Sequence, residues 1–390
     1  MDNILDPVLV GHPFAPIGRG EDVRCSFRAL QKINFKPKVM DLYGIHSPVG
    51  PLQNEIFDQS AAELGRVNIF HLNGDEIPQA IKHVGQSNFE SKYNVIYPQW
   101  ELSKYPIEWA AHLDKFNEIW APSQFVFESI KPVVSRPIFY MPLACEVEIT
   151  QVLPRSFFGI RDSAYAFLFF FDFRSYWQRK NPNAVIDAFE RLIARTSTRD
   201  LLLVIKVNGV EIEPDKLKEL EKRVESMKAR VVILKQTLSD NQTKNLIRCC
   251  DCFVSLHRSE GFGRGMSEAM FLGKPVIATA YSGNLDFMRP LNSLLVDAKL
   301  IEVHDGEYPY WRGQQWADPN IDQTVSHMGV LVENPSRGYK IGRAAAQSIL
   351  CDVGYLSAGL RMRQRIAEIG KSAPIKSLKR EHLTQLQRRD

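Results

Sequence analysis

Seven residues separate Glu260 from Glu268 in the run 252–288, CFVSLHRSEGFGRGMSEAMFLGKPVIATAYSGNLDFM. Glycines at 261, 263 and 265 lie between them and let a ligand approach the backbone closely. A helix starting beside these glycines points its first unpaired N–H groups and its positive dipole end at the loop, which makes an anion site. Two carboxylates beside an anion site suit a ligand that carries both phosphates and hydroxyls. A nucleotide-sugar is such a ligand. Upstream, Arg174 and Lys180 stand where an apolar run gives way to a helix opening at Asn181-Pro182. Paired cations at such a point stabilise an anionic leaving group as it departs. A third group, His71-Leu72-Asn73-Gly74-Asp75-Glu76, closes the stretch RVNIFHLNG. A polar cluster at a strand's carboxyl end is where an α/β sheet collects chemistry, so His71 is a catalytic candidate.

These residues need strands and helices to hold them. Around the two glutamates the order is strand (252–256), glycine-rich loop, short helix (about 265–272) and a second strand beginning at Pro275. That order is the unit of a parallel sheet, and ligands of such sheets bind beyond the carboxyl ends of the strands. Strands are expected at 165–171, 201–207 and 231–236, with an amphipathic helix after Pro182 and a helix at 240–250 capped by Ser239. The first half repeats the scheme. A strand at 7–10 leads to a glycine loop at Gly18 and Gly20 and a helix from Glu21. Strands follow within 36–49, 66–73 and 94–102, and Ser123 caps a helix after EIWAP. The stretch 296–320 reads as a long irregular run rich in aromatics, and helices are expected at 320–334, 337–350 and 354–370.

The chain has 390 residues, enough for two domains. A net charge of +4 and the lack of a dense basic stripe with interleaved aromatics argue against nucleic acid. Six cysteines do not make a secreted disulfide framework, and Cys249 and Cys252 read as small buried residues rather than metal ligands. The N-terminal run is too short for a signal peptide, and the apolar stretch AYAFLFFFDF is far too short for a membrane span. A soluble, cytoplasmic protein is expected. The tail 371–390 is basic and reads as solvated, with a peripheral contact to the inner membrane face as the alternative.

The strand, the GFG loop, the small-residue helix, the following G-K-P-V-I and the S-G-N at the next strand end together resemble the C-terminal-domain signature of retaining glycosyltransferases of family 4, which have the GT-B fold. The resemblance runs through RKNP (179–182) and EIWAPSQF (118–125) and covers nearly the whole chain. It implies two Rossmann-like domains with a cleft between them. The first, at 1–150, faces the acceptor. The second, at 151–345, holds the donor, and helices at 346–370 cross back onto the first. It also implies site roles. Glu268 would bond the ribose and Glu260 would hold the transferred sugar. Arg174 and Lys180 would clamp the diphosphate against Gly261, Phe262 and Gly263, and Ser239 would lie at the base. A mobile loop at Gly18 and Gly20 would close over the phosphates, with Glu21 and Arg24 at its mouth on the acceptor side. The family's N-terminal-domain histidine would fall near Gln99 or Trp100 and is absent, which leaves His71 and Glu101 as its candidate replacements.

The implied reaction moves a hexose, with mannose the working expectation, from an NDP-sugar to the hydroxyl of a glycan or lipid-linked glycan, with retention and no required metal or cofactor. Bacterial surface polysaccharide or lipopolysaccharide synthesis is the implied setting. A non-catalytic NDP-sugar-binding subunit and a GT-B epimerase are the alternatives.

Overall fold

Short apolar runs alternating with amphipathic helices build two parallel sheets in the computed structural model, which describes residues 5–196 and 199–372. The first sheet holds β1 (Val8–Gly11), β2 (Lys38–Asp41), β3 (Val67–Phe70), β4 (Tyr93–Ile96), β5 (Glu118–Ala121) and β6 (Ile138–Tyr140), in the spatial order β2-β1-β3-β4-β5-β6. The second holds β7 (Tyr165–Asp172), β8 (Leu201–Asn208), β9 (Val231–Leu234), β10 (Cys252–Ser255), β11 (Val276–Thr279) and β12 (Leu294–Val296), in the order β12-β11-β10-β7-β8-β9. Every pairing in both sheets is parallel. Their strands are mostly buried on both faces, which is why they read as continuous apolar runs rather than alternating ones.

Each order reverses once, between β1 and β3 in the first sheet and between β7 and β10 in the second. Connections leave in opposite directions at such a point and open a crevice beyond the strand ends. The loops after β7 and β10 carry Lys180 and Glu260, and the segments after β1 and β3 carry His12 and His71. The two crevices meet.

Three further features tie the halves together. The helix Tyr355–Ser372 runs back along the helix Gly18–Lys32, and Met362, Ile366 and Ile369 join a core that contains Leu9, Val23 and Phe27 of the first half. Ser123 caps the helix Gln124–Ile130, as expected, and its Oγ also donates to the Gly261 carbonyl across the cleft at 2.5 Å. The third feature departs from expectation. Residues 298–319 form an antiparallel hairpin, β13 (Ala298–Glu302) with β14 (Gln315–Pro319), rather than an irregular run. Its first strand is almost wholly exposed and neither strand alternates apolar with polar residues, so no strand pattern marks it in the sequence. Its Val303, Tyr308 and Trp316 are buried in the core of the first half, beside Trp100 and Tyr105. The Gln314 side chain seals that contact, donating to the Lys104 carbonyl at 2.7 Å and accepting from its N–H at 3.1 Å.

The expected loop at Gly18 and Gly20 is also corrected. Both glycines lie in the first turn of the helix Gly18–Lys32, and the irregular segment is the preceding His12–Pro16 stretch. Gly20 is required because a Cβ there would sit 2.3 Å from the Ala15 carbonyl. Gly18 has open space around it. The tail beyond 372 lies outside the described residues.

Candidate functional site

The reacting end of the crevice is assembled where β7 and β10 diverge. Trp177–Lys180 forms one helical turn after β7, and Asn181, in the left-handed region at φ 53, redirects the chain into the helix Pro182–Arg195. The turn is stitched to the neighbouring loop. The Asn181 amide donates to the Leu256 carbonyl at 3.0 Å, and Arg258 N–H donates to the Arg179 carbonyl at 2.8 Å. Lys180 Nζ is thereby held against Glu260 in a partly buried ion pair. Arg179 donates to the Ser259 carbonyl at 2.9 Å and lies 3.4 Å from the same Glu260 oxygen. Burial alone would raise the Glu260 carboxyl, but Lys180 and then Arg179 outweigh it and bring it down to about 2. The backbone N–H of Glu260 is fixed by the Ser282 hydroxyl at 2.8 Å.

Of the two predicted cations, only Lys180 reaches Glu260. Arg174 is half exposed and turns outward to Asp172 and Glu211. Asp172 draws it away by accepting from both the Arg174 N–H and its guanidinium. Arg179, which the sequence offered only within RKNP and without a site role of its own, lies against Glu260 beside Lys180.

Between Glu260 and Glu268 the loop turns through Gly263 at φ +97 and enters the helix Arg264–Phe271. At Gly261 the two sides of the cleft approach closely, since a Cβ there would lie 2.5 Å from the Gln99 side-chain oxygen and 3.0 Å from the Trp100 carbonyl. Phe262 is buried against Phe287. Arg264 then reaches across to Asp22 at 2.5 Å. Arg19 holds the other oxygen of Asp22 at 3.0 Å. Burial would raise the Asp22 carboxyl, and the Arg264 and Arg19 guanidinium groups hold it below its usual range.

At the far end, Glu268 is buried and pairs with Lys244 at 2.6 Å. Lys244 also meets Glu21 from the first half at 3.0 Å, and Arg24 clasps Glu21 at 2.5 Å. Burial works against ionising Glu21, yet Lys244 and Arg24 drive its carboxyl far below the usual range. Ser239 caps the helix Asp240–Cys249, as expected, and does so in a reciprocal pairing with Gln242. It lines a cavity of about 110 Å³ together with Glu21, Arg24, Asp240 and Lys244. That volume is below the roughly 300 Å³ at which small-molecule pockets begin. The clasped ion pairs, not packed hydrocarbon, fill the crevice.

His71 lies beyond β3, fully buried, with its ring 5.1 Å from that of Tyr97. Among the described residues neither ring nitrogen has a hydrogen-bond partner. Burial, reinforced by Arg19, pushes its pKa down to about 3, so the ring is neutral at ordinary pH. Glu101 accepts from the Tyr308 hydroxyl of the hairpin and sits 3.6 Å from Arg179. The structure thus brings Glu260, Lys180 and Glu101 together at one end. It gathers Glu268, Glu21, Arg24 and Ser239 at the other, and leaves His71 on the wall beside Asp22. Among the described residues no group of His, Cys, Asp and Glu is arranged to hold a metal ion, and no helix is long and apolar enough to cross a membrane.

Residues 168–303 match the family described as glycosyl transferases group 1. No curated protein matches the chain. Among solved structures, Alr3699/HepE from Anabaena, in complex with UDP and glucose, is similar with a TM-score of 0.65 at 13% identity, over 93% of this chain and all 100% of that one. Sucrose-phosphate synthase (tll1590) from Thermosynechococcus elongatus follows at 0.64 and 13% identity, covering 94% and 100%. A glycosyltransferase from Rickettsia africae ESF-5 scores 0.62 at 12% identity, covering 95% and 100%. Identities this low speak for fold alone, and the fold is GT-B: two Rossmann-like units across a cleft, with the last helix returning to the first unit.

Proposed function

We propose that this chain is a retaining glycosyltransferase of the family 4 type that moves a hexose from an NDP-sugar to an acceptor hydroxyl. The observation that carries the reading is the meeting of Lys180, Arg179 and Glu260 beside the Gly261–Gly263 turn, at the switch point of the second sheet and inside the segment that matches the group 1 glycosyl transferases. HepE has been solved with UDP-glucose, which makes that compound the first donor to test here.

In this reading Lys180 and Arg179 neutralise the departing diphosphate, and no metal is required of them. Glu260 exchanges part of its pairing with Lys180 for hydroxyls of the transferred sugar. Glu268 turns from Lys244 to the ribose hydroxyls. The acceptor oxygen attacks the anomeric carbon on the face the phosphate leaves. The carbon–phosphate oxygen bond breaks, the new glycosidic bond forms, and the departing phosphate oxygen takes the acceptor proton. His71, neutral and with both nitrogens unpartnered among the described residues, offers one donor and one acceptor to the sugar. Surface polysaccharide or lipopolysaccharide assembly, in the cytoplasm or against the inner membrane face, is the setting we assign to it.

The test is NDP release from a panel of UDP-, GDP- and dTDP-sugars with mixed glycan acceptors, repeated with Lys180→Ala. Turnover that falls about 100-fold or more in the variant is expected, the scale on which one charge stabiliser acts. Tight NDP binding without turnover would make the chain a donor-binding subunit instead, and no binding at all would end the proposal.

A further inference from the structure

Five non-glycine residues among those described have positive φ: Asn34, Tyr176, Asn181, Ser282 and Tyr310. Asparagine tolerates this region, whereas for a bulky side chain it is an outlier that costs on the order of 1–3 kcal/mol. Both tyrosines occur on loops of the second half at the same mouth of the crevice. Tyr176 is at φ 65 and ψ 116, just before the Trp177–Lys180 turn, and Tyr310 is at φ 55 in the loop of the β13–β14 hairpin. Both rings stay well exposed, at 38% and 41%.

The rings are backed by others rather than free in solvent. Tyr176 lies against Tyr308 with centroids 4.6 Å apart, and Tyr310 against Trp109 at 5.2 Å. Trp100 joins the two, 5.7 Å from Tyr308 and 6.4 Å from Tyr310. Carboxylates border this surface. Glu101 is held by the Tyr308 hydroxyl, and Asp75 follows Gly74, where a Cβ would lie 2.5 Å from the Tyr105 hydroxyl and 2.7 Å from Trp109. The surface is continuous with the reacting end through Glu260, Arg179, Glu101 and Tyr308, each in contact with the next.

We propose that Tyr176 and Tyr310 form an acceptor subsite, a shelf on which the apolar C–H face of a sugar ring stacks while Glu101 and Asp75 take its hydroxyls. Exposed aromatics with polar tips, flanked by the carboxylates of Glu101 and Asp75, offer a saccharide both a stacking face and hydroxyl partners. The strained backbone holds the rings out of the core, where apolar packing alone would draw them. This proposal rests on the glycosyltransferase reading for the identity of the ligand as acceptor, but its binding test does not.

The test is saturation-transfer NMR on the full chain with methyl glycosides of glucose, galactose, mannose and N-acetylglucosamine, comparing wild type with Tyr176→Gly combined with Tyr310→Gly. Glycine occupies positive φ without strain, so the variant keeps its fold, and a matching melting curve checks this. At least one glycoside is expected to receive transfer on the protons of one ring face, with affinity about tenfold weaker in the variant. No transfer from any glycoside, or affinity unchanged within about twofold, would overturn the shelf. A parallel UDP titration separates the two ideas. If UDP binds equally to both proteins while the glycosides fail, the donor reading stands and the shelf falls. If UDP does not bind and the glycosides do, the reverse holds.

Discussion

Replacing Lys244 by Met should reverse the pH dependence of stability that its neighbours give the folded protein. Lys244 is buried between Glu268 at 2.6 Å, Glu21 at 3.0 Å and Asp240 at 3.8 Å. At an effective dielectric of about 20, each of the two close pairs is worth about 6 kcal/mol of attraction, most of it offset by desolvating the three charges. Removing the ammonium leaves the attraction at zero and the desolvation in place, at a cost of about 3–5 kcal/mol. Glu21 keeps Arg24, but Glu268 loses the one ion pair it makes among the described residues. Its carboxyl is then buried without a cation, and a carboxylate held that way costs stability at the pH where the unfolded chain ionises it. Asp240, already raised to about 6 by burial and by Glu21, is driven further up once Lys244 is gone.

Glu21 and Glu260 in the wild type are shifted downward, so their contribution is complete above about pH 4.5 and lost only in acid. The variant should therefore be closest to wild type near pH 5 and fall away toward pH 8. If both halves melt together, the deficit at pH 8 corresponds to about 4–6 °C in Tm. Urea and thermal melts at pH 5, 6, 7 and 8 measure it. Lys244→Met combined with Glu268→Gln should recover about half of the loss at pH 8, because no charge is then stranded at 268. A deficit equal at pH 5 and pH 8, or simple additivity in the double variant, would refute the reasoning.

Two further outcomes test the site. Arg179→Ala should lower turnover about 30-fold or more while Arg174→Ala stays within about threefold, since only Arg179 touches Glu260. Steady-state kinetics on both variants decides between them, and equal losses would restore Arg174 to the clamp. His71→Gln should lower kcat/KM about tenfold without altering the shape of the pH–rate profile between pH 5 and 8, because the ring is neutral throughout that range. A profile limb that disappears in the variant would show that His71 titrates during catalysis.

The parts of this site that could be read in the chain are those dictated by local patterning. Runs such as Leu201–Asn208 and Cys252–Ser255 declare themselves as buried strands, and Ser123 and Ser239 declare the helix starts they cap. Glu260, Glu268 and Lys180 drew their expected roles from the family resemblance of the runs that hold them, on loops and a helix that local patterning places. What could not be read depends on partners distant in sequence. Arg174 is held outward by Asp172 together with Glu211, thirty-seven residues on, and Arg179 is turned inward by Glu101 and Glu260 on two separate loops. Lys244 and Arg264 drew no notice because their significance is the carboxylates they meet across the cleft, Glu21 and Asp22. The glycines at 18 and 20 misled because Gly20 serves a close approach to the Ala15 carbonyl inside a helical turn, not a flexible loop.

The hairpin at 298–319 and the helix Tyr355–Ser372 bear on how the chain is made as well as on how it works. Trp316 and Tyr308 complete one face of the first half, and Met362, Ile366 and Ile369 complete the other. Synthesis from the N-terminus therefore delivers a first sheet whose two hydrophobic layers both await segments more than 150 residues downstream. The second sheet, whose strands lie within Tyr165–Val296, has most of its own core in hand by the time β12 emerges. The later half should thus be the first to become protease-resistant on the ribosome, and the earlier half should be the one that chaperones hold.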